Sequence, residues 1–113
     1  MNKRIKLKDM LYEMSNVVKQ RSGLPVNVWI SPKMATHGPR IKVQRNYGNN
    51  VTDDMFSITI SDNPMVIGDS GEISSNDIKK VFAFIKLNKK LLLTFWNKEE
   101  SDPVNILTNL TKV

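Results

Sequence analysis

The sequence contains no cysteine and only one histidine, His37. Without cysteine the chain can form no disulfide bond, no cysteine-containing zinc site and no thiol nucleophile. A single histidine cannot build a multi-histidine metal centre. We therefore expect neither a metal nor another cofactor.

Long apolar runs and phosphate-binding glycine motifs are also missing. No segment approaches the roughly 18–20 apolar residues of a membrane span, and the charged N-terminus has no apolar stretch behind it. The sequence contains neither G-x-x-x-x-G-K-S/T nor G-x-G-x-x-G. The carboxylates of residues 53–72 lie in polar turns and suggest no acid/base pair. We expect no membrane association, a cytoplasmic location, and a binding role rather than catalysis.

Length and composition are those of one globular domain. The chain has 113 residues, of which 40% are hydrophobic and 25% are charged. This composition is far from that of disordered chains. We expect a single domain over residues 1–113.

Positive charge is concentrated in the first part of the chain. Residues 1–45 contain ten Lys and Arg against two acidic residues, whereas residues 46–113 contain seven against nine. The formal net charge is therefore +8 for residues 1–45 and −2 for residues 46–113. Such asymmetry indicates nucleic acid, an anionic surface or an acidic protein as the partner. The alternative is that the charge only keeps the protein soluble.

The hydrophobic pattern predicts an α+β fold. Apolar residues at helical spacing predict a helix over residues 5–21, and alternating residues predict three strands near 26–31, 40–44 and 56–61. Turn-forming residues on both sides of residues 65–68 predict a short fourth strand there. Short turns between the strands favour a four-stranded antiparallel meander. Ser74 caps a long core helix that ends near Asn97, and Asp102 caps a short C-terminal helix. We expect Phe82 to lie at the centre of the core.

The segment from residue 31 to 48 is the best candidate for a binding surface. If Ile41 and Val43 face the core, then Arg40, Lys42 and Gln44 point together to the other face, about 7 Å apart. That spacing suits successive phosphates of a single nucleic-acid strand. Candidate contact residues are Trp29, Lys33, His37, Arg40, Lys42, Gln44, Arg45 and Tyr47.

Each candidate also has a structural interpretation. Trp29 can stack on bases if exposed, or the first helix can bury it. His37 can be an ordinary hydrogen-bonding loop residue, and Arg40 and Lys42 can belong to a solvated strand face. The lysines of the long helix are interpreted as its solvated side.

From Val28 to Leu110 the order of features resembles a small bacterial family of domains of unknown function. The family occurs in short proteins that sometimes have antitoxin-like neighbours. The resemblance rests on Thr36-His37-Gly38-Pro39-Arg40-Ile41-Lys42-Val43 entering a strand, a glycine-rich turn before a helix, and Asn88, Leu92 and Trp96 along that helix. Where the family usually carries paired histidines, this chain has only His37. The resemblance implies the fold more than an activity.

Lys, Asn and Ile supply 35 of the 113 residues, the bias of an AT-rich genome and common in phages and mobile elements. The leading hypothesis is a non-enzymatic module that docks a cationic strand on nucleic acid, a nucleoprotein or an acidic protein. Such a module could be a phage or mobile-element accessory protein that antagonises host defence, acting in the host cytoplasm. One alternative is a metal-independent ribonuclease of toxin type, in which His37 or Tyr47 moves the proton. The other is an inhibitor that binds only protein.

Overall fold

A computed structural model describes residues 15–17, 19–30, 37–48, 54–99 and 102–113. Its strands are β1 (Ser15–Val17), β2 (Val28–Ile30), β3 (Arg40–Gln44), β4 (Met55–Thr59) and β5 (Val66–Ile67). Its helices are the single turn α1 (Lys19–Ser22), the long α2 (Ser75–Trp96) and the short α3 (Pro103–Asn109). The predicted α+β class is confirmed. No helix in these described ranges is both long and apolar enough to cross a membrane.

The strands form one antiparallel sheet in the order β1-β2-β3-β4-β5. Each strand pairs with its neighbour in the chain, as the short turns predict. The predicted number of strands, four, was wrong because β1 adds a fifth at the edge beside β2. One row of paired positions is apolar, and the next row lies on the opposite face of the sheet. The apolar row consists of Val17, Val28, Val43 and Phe56.

The helix predicted over residues 5–21 is wrong for residues 15–17, which form a strand. Ser15–Val17 is extended and pairs with β2, and only the single turn α1 follows. Val17 is fully buried in the core. Pairing with a neighbouring strand therefore prevails over the local helical spacing of apolar residues. Residues 5–14 and residue 18 of the predicted helix lie outside the described residues.

Helix α2 begins where its capping pattern predicts. Ser74 is extended, and its hydroxyl accepts a hydrogen bond from the Asp77 amide at 3.1 Å. Asp102 caps α3 in the same way by accepting from the Val104 amide at 3.0 Å. Both caps satisfy amides that would otherwise lack an intrahelical partner. These short polar signals identify both helix starts.

One face of α2 packs on the apolar face of the sheet. The buried positions of α2 are Val81, Phe84, Ile85, Asn88, Leu92, Phe95 and Trp96. Phe82, expected at the centre of the core, is only half-buried, whereas Phe84 is 0% exposed. The prediction for Phe82 was wrong because the predicted apolar stripe was rotated around the helix axis relative to the face of α2 that packs on the sheet. Phe84 occupies the central aromatic position.

The C-terminal segment, residues 110–113, is attached to the core by a buried amide. The Asn88 side chain donates to the Thr111 carbonyl at 2.9 Å and accepts from the Thr111 amide at 2.7 Å. It also donates to the Phe84 carbonyl within α2. Beyond Thr111, the Val113 amide donates to the Ser22 carbonyl at 3.0 Å. Asn88 thus joins α2 to a segment that reaches back to α1.

Gly71 lies in the turn before α2, where the chain passes close to Arg45. Its φ is +61°, and an added Cβ would lie 2.8 Å from both the Cβ and the carbonyl oxygen of Arg45. Gly68 also has a positive φ, +92°, but its nearest neighbour would be 3.8 Å away. Gly71→Ala should therefore lower the free energy of unfolding by at least about 1 kcal/mol more than Gly68→Ala. Equal losses in urea denaturation would show that the close approach to Arg45 is unimportant.

Candidate functional site

The sheet has a polar face on the side opposite α2. Antiparallel pairing places one continuous row of residues across this face, from β1 to β5. The row consists of Asn16, Trp29, Lys42, Ser57 and Ile67. Arg40 and its partner Thr59 belong to the same face. We call this surface the polar face.

Arg40 and Lys42 are neighbouring cations on the polar face. They are two residues apart on β3, so their side chains leave the same side of the strand. Both side chains are half-buried. The Lys42 ammonium donates to the Ser57 hydroxyl at 3.0 Å, and Arg40 Nε is buried without a hydrogen-bond partner. The pair therefore keeps unused hydrogen-bonding capacity at a partly desolvated position.

The electrostatics of this pair are unfavourable without an anion. Burial, together with the positive charge of Arg40, lowers the pKa of the Lys42 ammonium below its ordinary value. Among the described residues, no carboxylate forms a salt bridge with either cation. Half-buried charges of like sign usually destabilise a fold. A bound anion would remove this cost.

Trp29 and Gln44 were expected to extend this site, but both side chains are buried. The Trp29 side chain is 3% exposed and offers no free face for a base. Gln44 is 0% exposed, and its amide donates to Asn46 Oδ1 at 2.7 Å and to the Gly48 carbonyl at 3.1 Å. The alternation places Gln44 on the polar face, but the following turn encloses it. The predicted contact row is therefore reduced to Arg40 and Lys42.

Arg45 connects two turns. Its guanidinium forms a salt bridge with Asp54 at 2.6 Å and donates to the Asp69 carbonyl at 2.6 Å. Its backbone carbonyl also accepts from the Glu72 amide. These contacts hold the turn that precedes α2 against the end of β3. In this arrangement the guanidinium is engaged within the protein, and we assign it a structural role.

Tyr47 fastens the start of α2. Its hydroxyl donates to Asp77 Oδ2 at 2.7 Å and accepts from the Ser74 amide at 2.9 Å. This hydrogen bond from Tyr47 is the main reason that the pKa of the Asp77 carboxyl lies below its ordinary value. The ring is partly exposed, but both hydrogen bonds of the hydroxyl are intramolecular. Tyr47 therefore belongs to the helix cap.

His37 lies at the other end of α2. Its ring packs against Trp96 with centroids 5.4 Å apart, and its Nδ1 is 3.0 Å from the Gly38 carbonyl. The nineteen residues between the contacts at Asp77 and Trp96 span about 28 Å of helix. His37 and Tyr47 therefore cannot share one active site. Lys33, the remaining candidate, lies outside the described residues.

Tyr47→Phe should release Asp77 and weaken the start of α2. Because the Asp77 pKa is lowered in the folded protein, its carboxylate contributes stability at pH above the ordinary value of about 4. That contribution is lost as pH falls through the lower folded-state pKa. The variant should therefore melt below the parent at neutral pH, and the difference should shrink in acid. An NMR titration should show a higher Asp77 pKa in the variant, and an unchanged value would contradict this role.

Ser57 is the site residue that sequence reasoning missed. Its place opposite Lys42 depends on the β3–β4 register, and the alternating pattern of each strand alone does not fix that register. The described residues contain no group of three or more His, Asp or Glu side chains that could hold a metal ion. The arrangement of Arg40, Lys42 and Ser57 is suited to binding an anion such as a phosphate group.

Comparisons with protein-family models, curated proteins and solved structures found no match for this chain. The resemblance to the bacterial family therefore stays a prediction, and the residues of the site itself support the function proposed below.

Proposed function

We propose that this chain is a non-enzymatic binding module that docks on nucleic acid through Arg40 and Lys42. The observation that carries the proposal is the pairing of two half-buried cations without a carboxylate partner in the described structure. A phosphate oxygen can accept hydrogen bonds from both cations and offset their repulsion.

The basic character of the whole chain supports the same partner class. Its net charge is +6, which attracts a polyanion over a longer range than two side chains alone. Arg40 and Lys42 would then fix the position of one phosphate after encounter. A phage or mobile-element accessory protein that occupies a nucleic-acid or nucleoprotein surface of its host fits this mode of action.

A titration with a short labelled single-stranded oligonucleotide tests the proposal. The double variant Arg40→Gln/Lys42→Gln should bind at least about tenfold more weakly than the parent, because charge-assisted hydrogen bonds are lost. Lys80→Gln/Lys89→Gln is the matched control, since it also removes two charges and these ammonium groups already pair with Asp77 at 3.5 Å and with Asp62 at 2.8 Å. Its affinity should remain close to that of the parent. Thermal melting shows whether each variant is folded.

The proposed site, the inhibitor and the ribonuclease each predict a different result. Unchanged oligonucleotide affinity in the double variant would overturn the proposed site. Binding of an acidic protein without any oligonucleotide binding would instead establish the inhibitor. RNA that is cleaved on long incubation, and left intact by His37→Ala, would establish the ribonuclease. For a binding module the RNA stays intact with parent and variant alike.

A further inference from the structure

The outer side of α2 carries a straight row of lysines. Lys79, Lys86 and Lys90 are all exposed. At 3.6 residues per turn, their side chains leave the helix within an arc of about 40°. Eleven residues separate the first from the last, which corresponds to about 16 Å along the axis. We call these three residues the lysine ridge.

The ridge lysines differ from the other two lysines of α2, because those two pair with carboxylates in the described structure. Lys80 pairs with Asp77 at 3.5 Å and Lys89 pairs with Asp62 at 2.8 Å, and both lie on the flanks of the ridge. No salt bridge within the described residues involves a ridge lysine. A merely solvated helix usually alternates acidic and basic residues, which stabilises it through pairs four residues apart. Helix α2 has five lysines and a single acidic residue, Asp77.

We propose that the lysine ridge is a second nucleic-acid surface, which binds the phosphate backbone of a duplex. A duplex carries one negative charge for about every 1.7 Å of its axis, so a ridge of about 16 Å faces several phosphates. Exposed lysines on flexible side chains suit such sequence-independent contact. The small side chain of Ala83, which is also exposed, lies between Lys79 and Lys86 and leaves the approach open.

The lysine ridge and the Arg40–Lys42 pair lie on opposite sides of the molecule. The buried face of α2 packs on the apolar face of the sheet, and the ridge points the other way. The two surfaces are thus separated by the sheet and by the thickness of α2, which alone is about 10 Å. One phosphate cannot contact both. The inference rests on the proposed function only for the class of partner, which is nucleic acid. One chain could then bind a nucleic-acid segment on each side.

A duplex titration at several salt concentrations tests the ridge. The triple variant Lys79→Gln/Lys86→Gln/Lys90→Gln should bind a short labelled duplex at least tenfold more weakly. The slope of log affinity against log salt should fall by up to about 0.9 for each ridge contact. The matched control is Lys80→Gln/Lys89→Gln/Lys112→Gln, which loses the same charge at positions that do not belong to the ridge. It should remain within threefold of the parent.

Equal losses in the two triple variants, or no duplex binding by the parent, would overturn the ridge. A duplex affinity that falls in Arg40→Gln/Lys42→Gln and not in the ridge variant would also overturn it. If only the ridge variant loses duplex binding, the inference is supported, even if the single-strand titration has rejected the Arg40–Lys42 site. The two surfaces are therefore tested separately.

Discussion

Phe84→Ala is expected to lower the free energy of unfolding by about 3–5 kcal/mol. Phe84 is 0% exposed and belongs to the cluster in which α2 packs on the sheet. Truncation removes the transfer free energy of the ring and leaves a cavity that the neighbouring side chains fill only in part. Since small domains have about 5–15 kcal/mol of stability in total, a large share of the margin would be lost.

Phe82→Ala is the matched control, because it makes the same chemical change two residues away on the same helix. Phe82 is half-buried at the edge of the core. Its loss should be clearly smaller than that of Phe84→Ala, since the edge of the core can relax and water can enter. Urea denaturation of both variants measures the difference. A larger loss for Phe82→Ala would show that the buried face of α2 has been placed wrongly.

Asn88→Ala should cost about 2–4 kcal/mol, because it leaves two backbone groups without their partner. Asn88 is 3% exposed, and its amide pairs with both the amide and the carbonyl of Thr111. Removing it should free the C-terminal segment from α2 as well as lower global stability. Hydrogen exchange at the Thr111 amide should accelerate more than exchange in the sheet.

Thr94→Ala is the control for Asn88→Ala. The Thr94 hydroxyl donates to the Lys90 carbonyl of the same helix at 2.8 Å and joins no second segment. Its loss should change stability by about 0.5 kcal/mol or less. A similar effect of the two substitutions would contradict the view that Asn88 attaches the C-terminal segment.

Local signals in the sequence identified most of the elements. Ser74 and Asp102 identified two helix starts because capping depends on residues that are close in the chain. Alternation identified β2 to β4, the flanking turns identified β5, and short connections implied the antiparallel order of these strands. Residues 15–17 were misassigned because their extended form depends on pairing with β2, which is a contact between distant parts of the chain.

The site was predicted less well, for the same physical reason. Alternation placed Arg40, Lys42 and Gln44 on one face, but only tertiary structure shows that the turn at Asn46 and Gly48 encloses Gln44. The binding partners of Arg45 and Tyr47 also come from distant turns and from the start of α2. A cation identified from the sequence is therefore only a candidate for binding until the structure shows whether a carboxylate of the same protein pairs with it.

In the proposed function, Arg40 and Lys42 contact phosphate directly. Any removed cation weakens general attraction slightly, so affinity at one salt concentration cannot separate contact from overall charge. Direct contact releases a counterion and changes the slope of log affinity against log salt. Lys89, which already pairs with Asp62, is not part of the proposed phosphate contact.

The decisive measurement is this slope for a single-stranded oligonucleotide, with the parent and the variants Arg40→Gln, Lys42→Gln and Lys89→Gln. We predict that Arg40→Gln and Lys42→Gln each reduce the slope by about 0.7 and that Lys89→Gln leaves it unchanged. The same reduction in all three variants, or in none, would contradict direct phosphate contact by Arg40 and Lys42.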